Sequence, residues 1–195
     1  FAVLLLPWFA LAWEHRVLEL PLGATSIAVA FVLNDLRYYW FHRISHRVRW
    51  AWASHVVHHS SREYNLGTAL RQTWTGQFTG TAILSLPLVW LGLHPALIGF
   101  VAGLNLIYQF WIHTELVGSL GPLEYVLNTP SHHRVHHRPG SSCNYAGVLI
   151  IWDRMFGSFA EEKEKVKYGI TNPVNSVNPI NVFFHGFYRL YRKMV

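Results

Sequence analysis

Four apolar stretches limit the folds open to this chain more than any other feature of its sequence. A helix needs ~20 mainly apolar residues to cross the hydrocarbon core of a bilayer, and three of the stretches approach that length. With 51% hydrophobic and only 13% charged residues, the composition also departs from that of a soluble domain. The sequence therefore predicts an all-α membrane protein with about four transmembrane helices. The stretches are Phe1–Trp13, Leu22–Phe41, Trp74–Leu93 and Pro95–Ile112.

The distribution of basic residues predicts how these helices are oriented. The third and fourth stretches meet at residues 92–95, so they should form a tight hairpin that leaves Thr73 and His113 on the opposite side. Five of the sixteen Lys and Arg residues lie between His42 and Thr73, and nine follow Ser131. Basic connections favour the cytosolic side of a membrane. We therefore expect these segments to face the cytosol, from a bacterial inner membrane or the endoplasmic reticulum.

The same pattern predicts one membrane domain over residues 1–195. Residues 1–112 are predicted to be mainly transmembrane helices, interrupted by a cytosolic histidine-rich loop at 42–73. Residues 113–195, where Gly, Pro, Asn and charged residues interrupt short apolar pieces, are predicted to form a cytosolic helical cap. Because the chain begins inside an apolar run and without Met, we expect further residues to precede it.

Three polar residues interrupt the second apolar stretch: Asn34, Asp35 and Arg37. Such side chains are costly in hydrocarbon, so they should face the interior of the bundle or lie near the interface. An alternative is that Asp35 and Arg37 form a pair that only anchors the end of the helix.

Histidine spacing is the strongest functional signal. The chain has thirteen histidines, and nine fall into one pair spaced i, i+4, two triplets spaced i, i+3, i+4, and one isolated position. Residues with these spacings share one face of a helix. Nine imidazoles exceed what one four-coordinate ion needs, so the pattern predicts two metal ions with positions left open. The predicted ligands are His42, His46, His55, His58, His59, His113, His133, His136 and His137.

Imidazole alone does not identify the metal, because it suits Fe, Zn, Cu and Ni. A membrane protein that binds or transports zinc is therefore an alternative to an enzyme. Transport predicts ligands near the bilayer midplane, whereas these histidines fall at the predicted helix ends.

The remaining polar candidates are weaker. Glu115 is a candidate to hydrogen-bond a ligand imidazole or a metal-bound water, or else it is a solvated acid. Asp153 is a candidate to orient a ligand histidine, or else to pair with an arginine. Trp152 and Phe156 are expected to pack the cap against the bundle. Of the other histidines, His15 and His94 are predicted to be structural or interfacial, and His132 and His185 to support the ligands or line the substrate entrance.

Several classes of function are disfavoured. The sequence contains no H-E-x-x-H, G-x-S-x-G, C-x-x-C or phosphate-binding glycine loop. Its basic residues do not form the aromatic-interleaved stripe of a nucleic-acid binder. The single cysteine, Cys143, excludes an internal disulfide framework.

Taken together, the motifs resemble the fatty acid hydroxylase/sterol desaturase superfamily. Its members carry an H-x-x-x-H and two H-x-x-H-H motifs that bind two irons in a four-helix membrane bundle with a cytosolic cap. The resemblance runs from about Asn34 to the end of the chain. It includes segments 144–147 and 152–159, which are similar to the C-terminal signature of the superfamily. This resemblance implies that the nine histidines hold a di-iron centre.

Within the superfamily, the residues that flank the motifs are most similar to the branch that cleaves the ether bond of alkylglycerols. Segments 38–43, 109–115 and 128–133 carry much of this likeness. In the fatty-acid branch a further histidine precedes the position of His113 by one turn, and here that position is Gln109. An amide is a poorer ligand than imidazole, so the coordination number of one metal stays open.

The resemblance implies an O2-dependent monooxygenase that hydroxylates a lipid C–H bond, with ether cleavage to fatty aldehyde and glycerol as one outcome. Electrons would come from tetrahydrobiopterin or from a cytochrome or ferredoxin. The expected partners are the lipid substrate, the membrane and a separate electron donor, and no nucleic acid. Alternatives within the superfamily are a sterol, fatty acyl or carotenoid hydroxylase or desaturase. An inactive scaffold is disfavoured because every motif histidine is present.

Overall fold

The computed structural model describes residues 2–72, 74–192 and 194. Phe1 and Thr73, which bound two of the predicted segments, lie outside the described residues. The described part of the chain is mostly helical, as predicted. Its α-helices are α1 Ala2–Glu14, α2 Ala24–Arg47, α3 Arg49–His59, α4 Leu66–Leu70, α5 Leu86–Trp90, α6 Pro95–Trp111, α7 Pro130–His136, α8 Ile151–Met155 and α9 Pro179–Arg192.

The second apolar stretch forms most of α2, a helix of 24 residues that carries the first histidine pair at its end. Only Val48, in an extended conformation, separates α2 from α3. The chain therefore turns sharply between the first pair and the first triplet. As a result, α2 packs against α3, and it also packs against α6.

The third apolar stretch is not a single helix, so that part of the prediction is wrong. Residues Trp74–Thr79 and Thr81–Ser85 form two 3-10 turns, followed by the short helix α5. Gly80 separates the two turns with a φ of 82°, a left-handed conformation that an α-helix does not accommodate. Pro87 then lies near the start of α5, where its missing N–H is tolerated.

The predicted tight connection between the third and fourth stretches is present. Leu91–His94 joins α5 to α6, and Gly92 adopts a φ of 107°. A Cβ atom at Gly92 would overlap the carbonyl of Leu18, so the turn requires glycine for space as well as for conformation.

Among the residues that the structure describes, no helix combines the length and the apolar character needed to cross a bilayer. The four transmembrane helices expected from the sequence stay a prediction.

Two apolar cores hold the helices together. The first joins α2, α5 and α6 through buried residues such as Ala30, Val89 and Val101, with Phe9 of α1 packed against it. The second joins Tyr39 of α2 to the segment that leads into α8. The second core positions the histidines, because it holds residues 145–152 against the C-terminal half of α2, which carries the first histidine pair. Its buried members are Tyr39, Tyr145, Ala146, Ile150 and Trp152.

Asp35 connects this second core to the bundle. Its carboxylate accepts hydrogen bonds from the backbone N–H groups of Val148 and Leu149, the indole of Trp152 and the amide of Asn105, at 2.6–2.9 Å. Asp35 is fully buried, which confirms that it faces the interior. Arg37 instead donates to Asn34, so the alternative of an anchoring Asp–Arg pair is not what the structure shows.

Candidate metal centre

All nine predicted histidine ligands come together at one place in the fold. They form two groups, within each of which the candidate ligand atoms lie within 4.8 Å of one another. Group one contains five histidines and group two contains four. Group one is His42, His46, His55, His59 and His136, and group two is His58, His113, His133 and His137.

Each triplet contributes to both groups. In the first triplet the i, i+4 pair, His55 and His59, joins group one, while His58 between them joins group two. In the second triplet the i, i+4 pair, His133 and His137, joins group two, while His136 joins group one. Helical periodicity places i and i+4 side chains one above the other, so each pair points to one centre and the third residue points to the neighbouring one.

The two groups are in direct contact. The rings of His59 and His137 stack with centroids 4.3 Å apart, and those of His133 and His136 stack at 5.1 Å. Each of these pairs joins one group to the other. The arrangement is suited to two neighbouring metal ions rather than to two independent sites.

Main-chain carbonyls orient three of the rings. The Nδ1 atoms of His42, His113 and His136 lie 2.7–2.8 Å from the carbonyl oxygens of Tyr145, Gln109 and Cys143 respectively. A carbonyl oxygen only accepts hydrogen bonds, so Nδ1 carries the hydrogen in each ring. In a neutral imidazole the Nε2 atom is then left with a bare lone pair.

Each of these lone pairs faces a ring nitrogen of another histidine in its own group, which is the main indication that the site is built for cations. The Nε2 atoms of His42 and His55 are 3.1 Å apart, and those of His113 and His133 are also 3.1 Å apart. The lone pair of His113 lies close to two such nitrogens, those of His133 and His58, and a cation between the rings would bind all three at once. Two nitrogens bound at ~2.1 Å and near right angles to one metal lie about 3 Å apart. The donor set therefore fits metal ions.

Burial keeps the histidines neutral, as ligation requires. Removal from water lowers the pKa of each of the nine rings, and for His42 and His113 it does so to about 4. Seven of the nine are buried, whereas His46 and His55 are partly accessible. The Nε2 of His46 is itself buried and has no hydrogen-bond partner among the described residues, so it is available to a metal.

Arg134 fixes the helix that carries the second triplet. Its guanidinium forms a two-point ion pair with Glu162 at 2.6 and 2.7 Å, and it also donates to the carbonyls of Thr114 and Val117. The planar guanidinium matches the carboxylate in two places at once. Arg134 therefore ties α7 to the segment that follows His113.

Asp153 supports the centre indirectly. Its carboxylate accepts hydrogen bonds from the backbone N–H groups of Tyr145 and Ala146 and from the Ser158 hydroxyl, at 2.7–2.8 Å. The prediction that it bonds a histidine directly does not match this geometry. Instead, Asp153 holds the segment whose Tyr145 carbonyl orients His42.

The hydrogen bond that the structure shows for Glu115 is to a tyrosine and not to a histidine ligand. Its carboxylate accepts a bond of 3.1 Å from the exposed hydroxyl of Tyr168. Tyr168 stacks on Tyr64, which stacks in turn on His113. Sequence reasoning assigned no role to Tyr64, although it is nearly fully buried between the ligands and the surface.

The four other histidines lie outside both groups. His94 begins α6 by accepting a hydrogen bond from the backbone N–H of Ala96, and His15 is exposed. His132 is the third residue of α7, where its ring accepts from the N-cap residue Thr129. His185 lies on α9, with its Nδ1 against the carbonyl of Val182.

The Gln109 side chain hydrogen-bonds the amide oxygen of Asn105 and is not one of the grouped ligands. Its backbone carbonyl, rather than its side chain, serves the centre by orienting His113. Tyr145 is another residue that sequence reasoning noted only as part of a motif. Its ring lies 5.3 Å from that of His46, and its buried hydroxyl has no hydrogen-bond partner.

Histidines of both groups line a cavity of about 450 Å³. It reaches His55 of group one and both His58 and His113 of group two. Most of its wall is apolar, with aromatic and aliphatic side chains from α2, α4 and α6. We call it the apolar cavity, and its apolar lining includes Phe41, Ala69, Leu70, Leu106, Ile107 and Phe110.

Comparison with known proteins now gives the family. The family model named fatty acid hydroxylase matches residues 27–158, more than half of the chain. The chain belongs to the fatty acid hydroxylase family. The matched span contains all nine grouped histidines and Asp153, so the centre lies entirely within the part of the chain that matches the family.

Relatives within the fatty acid hydroxylase family include enzymes named alkylglycerol monooxygenase. The human protein is 50% identical over 92% of this chain, and the Danio rerio protein is 52% identical over 88%. The chain spans about two fifths of the length of these relatives, 41% and 39% respectively. An ornithine lipid hydroxylase of Rhizobium tropici is 26% identical over 70% of the chain and is itself covered to 42%. No solved structure gives a significant match.

Proposed function

We propose that this chain forms the catalytic part of a membrane di-iron monooxygenase that hydroxylates a lipid next to its ether oxygen. One observation carries the proposal: an apolar cavity is lined by histidines from both groups. Similarity to alkylglycerol monooxygenases supports ether lipids as the substrate class. Two irons held by the nine histidines would supply the activation of O2 for insertion into a C–H bond.

The protein's own residues position the lipid and keep water away. Phe41, Leu106 and Phe110 present apolar surface to an alkyl chain in the cavity. His55, His58 and His113 line the same cavity, so the carbon to be oxidised would lie beside the centre. Holding one methylene at that point makes the attack effectively unimolecular.

Oxidation at the carbon beside the ether oxygen gives a hemiacetal. A hemiacetal breaks its C–O bond without further redox chemistry, releasing a fatty aldehyde and glycerol. Hydroxylation elsewhere along the chain would leave a stable alcohol. The position of the ether oxygen relative to the histidines therefore decides between cleavage and simple hydroxylation.

We further propose that the chain is embedded in a membrane, with the centre on its cytosolic side. The outer face of α6 exposes large apolar side chains, including Phe100 at 56%, Leu106 at 57% and Ile107 at 70%. Contiguous apolar surface of this kind is costly in water and is typical of contact with lipid. Leu106 and Ile107 also line the apolar cavity, so a lipid could enter from the bilayer.

The test uses the full-length protein in nanodiscs, loaded with Fe²⁺ and supplied with an alkylglycerol, tetrahydrobiopterin and O2. We expect fatty aldehyde as product and two irons per chain. His58→Ala should lower the iron content and reduce aldehyde to background. His15→Ala is the matched control, because His15 is exposed and lies outside both groups, and it should retain iron and activity.

Iron-loaded protein that forms no aldehyde would contradict the ether-lipid assignment. In that case sterols and acyl lipids are the next substrates, since relatives at 26–28% identity include ornithine lipid and cholesterol 25-hydroxylase-like proteins. Protein that binds zinc in preference to iron and oxidises no lipid would contradict the monooxygenase proposal as a whole.

A further inference from the structure

A second, smaller cavity also reaches the histidines. Its volume is about 260 Å³, and it meets His46, His59 and His136, all members of group one. It shares no lining residue with the apolar cavity. We call it the polar opening.

The two cavities approach the centre from different directions. On α3 the apolar cavity is lined by residues 51, 54, 55 and 58, and the polar opening by residues 52 and 59. On α2 the corresponding positions are 38, 41 and 45 against 46. At 3.6 residues per turn, the two sets lie roughly 90° apart around each helix. A ligand in one cavity therefore leaves the other accessible.

The walls of the polar opening differ in chemistry from those of the apolar cavity. The Ser141, Ser142 and Thr171 side chains supply hydroxyl groups, and the exposed Arg138 supplies a positive charge. Arg138 forms no ion pair with any residue that the structure describes. These groups suit a ligand rich in carbonyl and hydroxyl oxygens rather than an alkyl chain.

Trp52 gives the polar opening an aromatic face next to the ligands. Its ring centroid lies 5.0 Å from that of His46 and 5.6 Å from that of His59. A planar heterocycle can stack on such a ring. An electron donated by such a heterocycle would reach a histidine of group one through the Trp52 ring.

Lipid hydroxylation needs a second co-substrate. Insertion of one oxygen atom of O2 into R–H gives R–OH, and the other oxygen atom becomes water only if two electrons and two protons are supplied. If the lipid fills the apolar cavity, the donor must approach from elsewhere. This step rests on the function proposed above.

We propose that the polar opening binds the reductant, a small reduced heterocycle bearing carbonyl and hydroxyl groups, while the lipid occupies the apolar cavity. The donor loses two electrons and two protons and leaves as its oxidised form. Because the cavities are separate, both ligands are bound at once and neither competes with the other. A volume of about 260 Å³ admits a bicyclic ring system but not the cofactor-carrying domain of a protein donor.

The decisive experiment measures binding without turnover. Full-length protein is loaded with redox-inactive zinc and titrated with tetrahydrobiopterin by calorimetry, with and without saturating alkylglycerol. Ser142→Trp fills the polar opening, and its exposed position lets the protein fold around the larger side chain. Leu70→Trp obstructs the apolar cavity and is the matched control.

We expect Ser142→Trp to weaken tetrahydrobiopterin binding at least tenfold, about 1.4 kcal/mol, without changing alkylglycerol binding. Leu70→Trp should weaken alkylglycerol binding without changing tetrahydrobiopterin binding. In the wild-type protein, saturating alkylglycerol should leave the affinity for tetrahydrobiopterin unchanged. The proposal is overturned if Ser142→Trp leaves reductant affinity unchanged, if Leu70→Trp abolishes it, or if lipid and reductant compete.

Failure of this inference is distinguishable from failure of the proposed function. Iron-loaded protein reduced chemically with dithionite, then given alkylglycerol and O2, should form aldehyde in a single turnover without any pterin. Aldehyde in that assay with no pterin binding would overturn the reductant site alone. No aldehyde under any reductant would overturn the function.

Discussion

At the scale of single residues, the centre depends on backbone carbonyls that hold imidazole N–H groups. The carbonyls of Cys143 and Tyr145 orient His136 and His42, and both lie in the segment that leads to α8. The position of that segment is therefore as important as the histidines themselves. Ring orientation of this kind commonly changes metal affinity by 10–100-fold.

Asp153 predicts a measurable pH dependence. Burial raises the pKa of its carboxyl group from 3.8 to about 6. Because the folded pKa is above the unfolded one, its contribution to stability is complete below pH 3.8 and is lost as the pH rises through 6. The difference between the unfolded and folded pKa values of Asp153 corresponds to about 3 kcal/mol of stability. We expect the unfolding midpoint of the wild type to fall relative to that of Asp153→Asn when the pH is raised from 4 to 7.

Thermal unfolding of metal-free protein in one detergent measures this difference at each pH. Because wild type and variant are compared at the same pH, the effect of histidine protonation on the two midpoints cancels. Glu164→Gln is the control for the loss of one carboxylate, because Glu164 is exposed. A constant difference for Asp153→Asn would contradict the prediction.

Gly147 predicts a steric effect at the same segment. An added Cβ atom would lie 2.6 Å from the amide oxygen of Asn105 and 2.9 Å from a carboxylate oxygen of Asp35, both buried. Overpacking of this kind costs about 1–3 kcal/mol. Gly147→Ala should lower the unfolding midpoint and the iron content together. Gly99→Ala, where a Cβ atom meets nothing within 4 Å, should change neither.

At the scale of elements, α3 is the helix on which the rest of the centre is assembled. It carries three histidines that serve both groups, and it packs against α2 on one side and α9 on another. Trp50 of α3 contacts Phe187 of α9 edge-on, with ring centroids 5.3 Å apart. Packing of α9 against α3 therefore stabilises the helix whose histidines serve both groups.

Substitution of Gly186, on α9, tests the packing of α9 against α3. Its backbone lies so close to α3 that a Cβ atom would overlap the carbonyl of Ala53. Gly186→Ala should push α9 away from α3, because neither backbone can give way cheaply. We expect faster proteolysis within residues 179–192 and a lower unfolding midpoint. Gly103→Ala on α6, with open space at its Cβ, serves as the control, and equal proteolysis of the two variants would refute the prediction.

At the scale of the whole molecule, the centre joins parts of the chain that are distant in sequence. Group one links α2, α3 and α7, and group two links α3, α7 with the residue that follows it, and His113, two residues after α6. A metal bound by several segments stabilises only the folded arrangement that brings them together. Metal content and global stability should therefore change together.

Metal removal gives the corresponding prediction. At a free metal concentration 100 times the dissociation constant, one site adds about 2.7 kcal/mol to the stability. For a chain of this size that corresponds to roughly 5–10 °C in the unfolding midpoint. Chelation should lower the midpoint of the wild type by at least this amount and that of His46→Ala by less. Equal midpoints for loaded and chelated wild-type protein would exclude the linkage.

Much of the fold and most of the candidate centre were predictable from local patterns. Hydrophobic runs indicated the helices α2 and α6, and the i, i+3, i+4 spacing placed each histidine triplet on one helical face. The helix break at Gly80 was missed, although glycines and a proline lie within the third apolar stretch, because a glycine in a sequence does not by itself reveal a left-handed conformation. Asp35 was correctly expected inside the bundle, but its partners at Val148 and Leu149 lie more than 110 residues away.

What the sequence by itself determined is the identity of the nine histidines and their grouping on helices, because a repeat of 3.6 residues per turn acts over a few neighbouring residues. Only the tertiary structure decided how each triplet divides between the two groups and which carbonyl orients which ring. It also decided that Asp153 supports the Tyr145 segment rather than a histidine. These features depend on contacts such as that between His59 and His136, 77 residues apart. Packing among α2, α3, α6 and α7 sets such distances, and no local spacing encodes them.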